Sequence, residues 1–238
     1  MKYTESFETK WHDTDAERRV RPSEILVYMQ ETANRQIDST GTSLDDIRDK
    51  QRLAFILSKI KLVFHKPLAA YERIDVSTWT CESRGYKFNR CFDIRREGEL
   101  VAEGISEWAL INLDSRMLVR CDGVDLGIEP DEILKIDMPR RIKQPDAELS
   151  VLGTRPIRYS DIDYNMHMNN TKYPNMICDF MPIEQVDKIR VMTLEFLHES
   201  ALGDMLTVYG CGDEGRYYFK TLNGKGDICL TAEVLTDK

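Results

Sequence analysis

The chain is organised around the stretch Arg158-Tyr159-Ser160-Asp161-Ile162-Asp163-Tyr164-Asn165-Met166-His167-Met168-Asn169-Asn170. Asp163, Asn165 and His167 occupy alternate positions, which point the same way in an extended chain. One face of the stretch is therefore expected to carry a carboxylate, an amide and an imidazole together. Asn and Asp are also common in turns and helix caps, which explains each residue alone equally well. Turn chemistry explains the whole cluster less well, so the cluster is the candidate site.

The same pattern occurs earlier in the chain, without the full polar cluster. Lys10-Trp11-His12-Asp13-Thr14-Asp15 matches Arg158–Asp163 without a gap, and each position lies 148 residues before its counterpart, as Lys10 does before Arg158. In both copies a basic residue precedes an aromatic one, and Asp-x-Asp follows. Beyond the match, Glu17 and Arg19 stand where the second copy has Asn165 and His167. The sequence therefore predicts a duplicated unit in which only the C-terminal copy holds the polar cluster.

Composition narrows the class of protein. The chain has 238 residues, a net charge of −8, 42% hydrophobic and 31% charged residues, which is ordinary for a globular protein. The negative balance argues against a general nucleic-acid binder. No apolar run reaches the roughly 18 residues of a membrane helix, and the first six residues lack the apolar core of a signal peptide. We therefore expect neither nucleic acid nor membrane as a partner, and a cytoplasmic location.

The cysteines are scattered and form no C-x-x-C pair. In a cytoplasmic chain this pattern predicts reduced, mostly packed thiols and neither a disulfide framework nor a zinc site. No metal or cofactor is expected. The six cysteines are Cys81, Cys91, Cys121, Cys178, Cys211 and Cys229.

Hydrophobic periodicity predicts one long helix and then several strands in the first half of the chain. A helix over 23–40, with Ser23 as its candidate N-cap and Gly41 as its stop, follows from the spacing of Ile25, Met29, Ala33 and Ile37. Alternating apolar residues predict the antiparallel strands. These strands cover 54–64, 74–80, 88–94 and 100–111.

The second half repeats this plan. It is expected to contain a helix around 170–180 and strands near 189–198, 205–212, 215–222 and 227–236. The sequence thus divides into an N-terminal unit (1–125), a proline-rich linker (126–150) with a short helix near 130–135, and a C-terminal unit (151–238). A helix packed on an antiparallel sheet, present twice, is an α+β double hotdog fold.

The motifs resemble those of the acyl-acyl carrier protein thioesterases of bacteria and plant plastids, over nearly the whole chain. The family signature Asp-x-Asn-x-His-x-Asn-Asn-x-Lys/Arg-Tyr is present as Asp163–Tyr173, and Leu-Glu-aromatic-x-x-Glu is present as Leu194–Glu199. Trp11-x-Asp13-x-Asp15 and Glu107-Trp108 also fit. Two positions depart from the plant members: Ser200 stands where they often have Cys, and Pro174 where they commonly have an apolar residue.

The resemblance implies a catalytic set of Asp163, Asn165, His167 and Glu199. Thioester hydrolysis needs an activated water or a carboxylate nucleophile, and both roles are open for Glu199. His167 would share the proton transfer or polarise the substrate, and Asn165 would hold the carbonyl oxygen. Asp163 would orient His167 or the water. Backbone amides at the start of the following helix, near 169–172, are expected to add to the oxyanion site.

The partner implied is acyl carrier protein with its phosphopantetheine-linked acyl chain, in fatty acid biosynthesis. Association into a homodimer stays open. An acyl-CoA thioesterase of the same fold is the alternative, while the polar set argues against a hotdog dehydratase and a non-catalytic acyl-binding module.

Acyl carrier protein is acidic, so its docking surface on this chain should be locally basic. The candidate clusters are Arg18, Arg19 and Arg21; Arg84 and Lys87; and Arg140, Arg141 and Lys143.

The N-terminal unit is expected not to catalyse. Arg19 in place of the imidazole stays protonated and cannot act as a base near neutral pH. The counterpart of Glu199, expected near Lys66-Pro67, has no carboxylate. We therefore expect this unit to supply the acyl pocket and part of the docking surface.

Overall fold

The computed structural model describes residues 2–213 and 215–237, which form two compact units. The first unit runs to Val20 and continues over Glu24–Pro139. The second contains Arg21–Ser23 and the described chain from Arg140 onward.

The first unit contains a long helix, a short helix and an antiparallel sheet. The sheet order is β1-β3-β4-β5-β2, and β6 pairs with β5. The predicted helix and strands are confirmed within a few residues at each end, whereas the short helix α2 was not predicted. The elements are β1 (Tyr3–Glu8), α1 (Pro22–Asp38), α2 (Leu44–Asp49), β2 (Leu53–Phe64), β3 (Arg73–Thr80), β4 (Phe88–Arg96), β5 (Glu99–Asn112) and β6 (Leu118–Val119).

Helix α1 packs its predicted apolar face against this sheet. Leu26 and Met29 are fully buried. The contact is close at Gly104 of β5, where a Cβ atom would lie 3.3 Å from the Met29 sulfur and 3.3 Å from a Leu62 methyl group. A side chain there would require these neighbours to shift by a few tenths of an ångström. Ser23 is not the N-cap, because α1 begins at Pro22 and the Ser23 hydroxyl instead donates to Asn175 Oδ1 at 2.7 Å within the second unit.

The segment 124–149 forms neither helix nor strand, so the short helix expected near 130–135 is absent. Two hydrogen bonds to β3 hold this segment in an extended conformation. Asp131 N donates to Thr80 O at 2.9 Å, and Trp79 Nε1 donates to Glu132 O at 2.6 Å. Alternate residues of the segment then pack on the buried cluster around Trp79, which is typical of extended chain and not of helix. These packed residues are Leu134, Ile136 and Met138.

The second unit repeats the plan with a shorter helix. Its sheet order is β8-β11-β10-β9-β7, antiparallel throughout. Helix α3 has 7 residues, against 17 in α1, and Pro174 lies in its first turn, where proline is tolerated. The elements are β7 (Ser150–Pro156), α3 (Tyr173–Asp179), α4 (Ile183–Val186), β8 (Ile189–Phe196), β9 (Met205–Asp213), β10 (Arg216–Leu222) and β11 (Ile228–Thr236).

The core of the second unit lies between α3 and its sheet. Met176 and Ile177 of α3 are fully buried, and the Tyr173 ring packs edge-on against Phe196 of β8, with centroids 5.2 Å apart. Leu194 and Leu230 are buried on neighbouring strands. The α+β class predicted from the sequence is confirmed. Among the described residues, no helix is both long and apolar enough to cross a membrane.

Candidate active site

The polar stretch 158–168 forms a turn and not an extended face. A 3-10 turn at Tyr159–Asp161 is followed by a β-bridge between Ile162 and Met168, which closes a tight loop. Within it, Asp163 N donates to His167 O at 3.0 Å, and Met166 N donates to Asp163 O at 3.0 Å. The expectation that alternate residues share one face is therefore wrong, because the backbone reverses direction between them.

The Asp163 carboxylate supports this turn. Its Oδ1 accepts a hydrogen bond from Asn165 N at 2.8 Å, which is the Asx geometry typical of aspartate at the start of a turn. Met166, which follows Asn165, has a φ of 64°, a left-handed conformation that L side chains rarely adopt. The carboxylate thus helps to hold a strained backbone between the two residues that carry the amide and the imidazole.

His167 and Glu199 come together because the loop pairs with the chain that follows β8. Met168 N donates to Ser200 O at 2.8 Å, Leu202 N donates to Met166 O at 3.2 Å, and a β-bridge joins His167 to Ala201. This pairing brings His167 Nε2 to 3.3 Å from Glu199 Oε2. The imidazole and the carboxylate are distant in the sequence and adjacent in space, at the slightly long separation that acid–base pairs often show before substrate binds.

The pair is open to solvent and therefore to substrate. The His167 side chain is 33% exposed and that of Glu199 57%. Asp163 and Asn165 are half-buried in the same loop. The four predicted residues thus occupy one loop and the chain end that pairs with it, with the His167 imidazole beside the Glu199 carboxylate.

Ser200 points the other way from Glu199, into the core. It is 1% exposed, and its Oγ accepts a hydrogen bond from the Tyr173 hydroxyl at 2.9 Å. Burial raises the pKa of Tyr173 above its ordinary value, so this phenol remains a donor. Ser200 is therefore a packing residue beneath the site, with no access to a thioester.

The backbone amides near 169–172 are largely occupied, so the expected oxyanion contribution is wrong for three of them. Asn169 N donates to Asp161 O at 2.8 Å, and Lys172 N donates to Asn169 O at 2.9 Å. Thr171 N donates to the Asn169 side chain at 2.9 Å. These hydrogen bonds build the start of α3 and leave those donors unavailable to a substrate.

The loop 10–20 of the first unit has the same backbone design. Asp15 N donates to Arg19 O at 2.9 Å, Glu17 N donates to Asp15 Oδ1 at 2.9 Å, and Arg18 has a φ of 62°. Val20 N donates to Leu68 O at 2.8 Å, as Met168 N does to Ser200 O. Leu68 is thus the counterpart of Ser200, and the residue before it, Pro67, is the counterpart of Glu199.

A second histidine–carboxylate pair lies in the first unit. His65 Nε2 is 2.9 Å from Glu103 Oε1, and Glu103 is buried on β5 beside its register partner Asp93. The loop of this unit carries the carboxylate of Glu17, and not an amide, at the position of Asn165.

Within residues 2–213 and 215–237, no group of three or more His, Cys, Asp or Glu side chains is arranged to hold a metal ion.

The first unit also contains a cavity of about 350 Å³. This volume lies at the lower end of the range for small-molecule sites. Apolar side chains such as Ile37, Phe55 and Trp108 line it, together with the buried Arg90 of β4.

Two family models match this chain, one for each half. That of the acyl-ACP thioesterase N-terminal domain matches residues 1–123, and that of the acyl-ACP thioesterase C-terminal domain matches residues 146–226. A chloroplastic palmitoyl-acyl carrier protein thioesterase of Arabidopsis thaliana is 26% identical over 230 residues, which is 88% of this chain and 56% of the relative. A chloroplastic oleoyl-acyl carrier protein thioesterase of the same plant is 26% identical over 86% of this chain and 61% of its own length. The chain thus spans a little over half the length of these relatives.

Solved structures show the same fold. An acyl-ACP thioesterase from Bacteroides thetaiotaomicron superposes with a TM-score of 0.90 at 23% identity, covering 99% of this chain and 98% of that one. The 12:0-ACP thioesterase from Umbellularia californica gives 0.80 at 19% identity, covering 99% and 97%. The double hotdog fold predicted from the sequence is confirmed.

Proposed function

Because this chain belongs to the acyl-ACP thioesterase family, we propose that it hydrolyses the thioester between a fatty acyl group and acyl carrier protein, releasing the free fatty acid. The observation that carries the proposal is the 3.3 Å contact between His167 Nε2 and Glu199 Oε2 on an exposed loop. Water adds to the thioester carbonyl, the carbon–sulfur bond breaks, and the products are a carboxylic acid and the carrier thiol.

Glu199 and His167 are the acid–base pair of this mechanism. Glu199 either takes the proton of the attacking water or attacks the carbonyl itself, giving an anhydride that water then opens. His167 passes the proton on to the departing thiolate sulfur. The thiol leaves with little acid assistance, because its ordinary pKa is roughly 8.5. Asn165 donates to the carbonyl oxygen as negative charge develops there, and Asp163 positions the loop.

The partner is acyl carrier protein, and the cluster Arg140, Arg141 and Lys143 is its favoured docking surface. Arg84 and Lys87 are paired with acidic side chains, Arg84 with Glu82 at 3.1 Å and Lys87 with Glu107 at 2.8 Å. In contrast, Arg140, Arg141 and Lys143 are exposed, and none of them is ion-paired within the described part of the chain. Unpaired cations attract an acidic partner more strongly than neutralised ones.

The cavity of the first unit supports its role as the acyl pocket, with the second unit carrying the catalytic residues. The division into an N-terminal unit (1–125), a linker (126–150) and a catalytic C-terminal unit (151–238) remains our proposal, as does the cytoplasmic location, and association into a homodimer stays open.

The test is thiol release from purified protein. Acyl carrier protein and CoA thioesters of graded chain length are supplied separately, and both the free thiol and the fatty acid are measured. We expect a higher kcat/KM with the carrier protein thioesters. Equal or better use of CoA thioesters would favour the alternative acyl-CoA thioesterase, and no release from either would refute hydrolysis.

A further inference from the structure

The cavity of the first unit contains a charged side chain away from solvent. Arg90 is 7% exposed and lines the cavity, among mostly apolar walls. It lies on β4 between Phe88 and Phe92, at alternate positions that share one face of the sheet. An arginine on such a face needs a physical reason, because charged side chains are rarely buried unless they are paired.

Only one of the three guanidinium nitrogens of Arg90 forms hydrogen bonds within the described part of the protein. Arg90 Nη1 donates to Gln36 Oε1 and, at 3.1 Å, to Thr78 Oγ1. Both acceptors are neutral. Arginine has five N–H donors, and within residues 2–213 and 215–237 the Nε and Nη2 donors of Arg90 have no hydrogen-bond partner and no carboxylate forms an ion pair with it. Burial lowers the pKa of Arg90 to about 10, which leaves it charged at neutral pH.

The acidic residues that line the cavity are engaged elsewhere. Glu82 accepts a hydrogen bond from Arg84 Nη2 at 3.1 Å, and Asp125 accepts one from Gly127 N at 2.8 Å. Both are exposed at the rim, whereas Arg90 is buried. Among the described residues, the buried cation therefore has no carboxylate partner of the kind that usually accompanies a buried charge.

We infer that this cavity binds an acyl chain whose far end carries a carboxylate, and that Arg90 pairs with that carboxylate. The inference rests on the proposed thioesterase function and names a substrate class for it: thioesters of dicarboxylic acids, in addition to methyl-ended acyl thioesters. A planar guanidinium with free Nε and Nη2 donors matches a carboxylate in two parallel hydrogen bonds. The apolar walls hold the methylene chain.

The first experiment compares two thioesters of equal chain length, one ending in a carboxylate and one in a methyl group. A purely apolar pocket would reject the charged end. We expect the wild type to hydrolyse the carboxylate-ended substrate with at least the same kcat/KM. Arg90→Met should lower the ratio of kcat/KM for the carboxylate-ended substrate to kcat/KM for the methyl-ended substrate about 10- to 100-fold, the loss of one hydrogen-bonded charge pair. Arg95→Met, an exposed arginine of the same strand, is the matched control.

The second experiment is independent of hydrolysis and of variant folding. Calorimetry with the wild type compares monomethyl sebacate with methyl decanoate, which differ only in the far carboxylate. Tighter binding of monomethyl sebacate is expected. Hydrolysis of methyl-ended thioesters together with no preference for the carboxylate in either experiment overturns this inference alone. No hydrolysis of any thioester overturns the proposed function and the substrate assignment with it.

Discussion

The loops 10–20 and 158–168 share a backbone and differ in the side chains placed on it. In each loop an Asp carboxylate accepts the N–H two residues later, from Glu17 at 2.9 Å and from Asn165 at 2.8 Å. Each then passes through a left-handed residue, Arg18 or Met166. Because the loop without the imidazole keeps this geometry, the geometry belongs to the fold and not to the chemistry.

The difference separates two kinds of residue. Asp163 has the same hydrogen bond to the N–H two residues later as Asp15, which supports our proposal that it positions the loop. Asn165, His167 and Glu199 have no chemical counterpart at the equivalent positions of the first unit, which are Glu17, Arg19 and Pro67. These three are therefore the candidates for contact with the substrate.

The largest effect is expected from the His167–Glu199 pair. Glu199→Gln and His167→Ala should each lower kcat by roughly 10²–10⁴, the range for a lost acid–base group. Arg19→Ala and Pro67→Ala, at the equivalent positions of the first unit, should keep kcat within a few-fold. Steady-state kinetics at saturating substrate, with circular dichroism to confirm folding, measures both. If the two first-unit variants lost as much kcat as the two second-unit variants, the assignment of a single catalytic site to the second unit would be contradicted.

Asn165→Ala should have the next largest effect. Loss of one donor to the developing oxyanion costs about 10²–10³ in kcat. Glu17→Ala should leave kcat almost unchanged, and a rise in KM there would indicate a binding role. An Asn165→Ala enzyme with wild-type kcat would remove the amide from the mechanism.

The sequence predicted the large elements because their signals are local. The 3.6-residue spacing of α1 and the alternation in β3 and β4 each arise within one segment. The short helix α2 and strand β7 were missed because 42–50 is mostly polar and 150–156, just after the predicted linker, has no sustained alternation of apolar and polar residues. The helix expected near 130–135 failed because tertiary contacts, through Trp79 and Thr80, hold that segment extended.

The site was predicted only in part, for a similar reason. Residue types identified Asp163, Asn165, His167 and Glu199, but their geometry depends on pairing between the loop and the chain after β8, which local sequence does not reveal. The burial of Ser200 depends on Tyr173, 27 positions earlier. Arg90 did have a signal, since it interrupts the apolar positions Phe88 and Phe92 on one face of a strand.

Asp15→Ala and Asp163→Ala should both lower stability, Asp15→Ala somewhat more, and should have different effects on activity. Asp163→Ala loses one turn hydrogen bond, from Asn165 N, and Asp15→Ala loses two, from Glu17 N and Arg19 N, each about 1 kcal/mol of the free energy of unfolding. Only Asp163→Ala should lower kcat. Asn in place of Asp163 keeps the acceptor oxygen, so Asp163→Asn should restore both stability and kcat if the role is positioning. Restored stability with kcat still low would show that the charge itself takes part in the reaction.

The smallest effect on activity is expected beneath the site, at Ser200 and Tyr173. The first unit has Leu68 and Ile25 at the equivalent positions, both buried, so an apolar pair is compatible with this fold. Ser200→Ala alone leaves the Tyr173 hydroxyl buried without its partner and should cost about 1–3 kcal/mol of stability, whereas the double variant Ser200→Ala/Tyr173→Phe should recover most of that loss. Chemical denaturation of the two single variants and the double variant measures the coupling, and kcat should stay within a few-fold throughout. A collapse of kcat in folded Ser200→Ala would instead indicate that the hydroxyl takes part in catalysis.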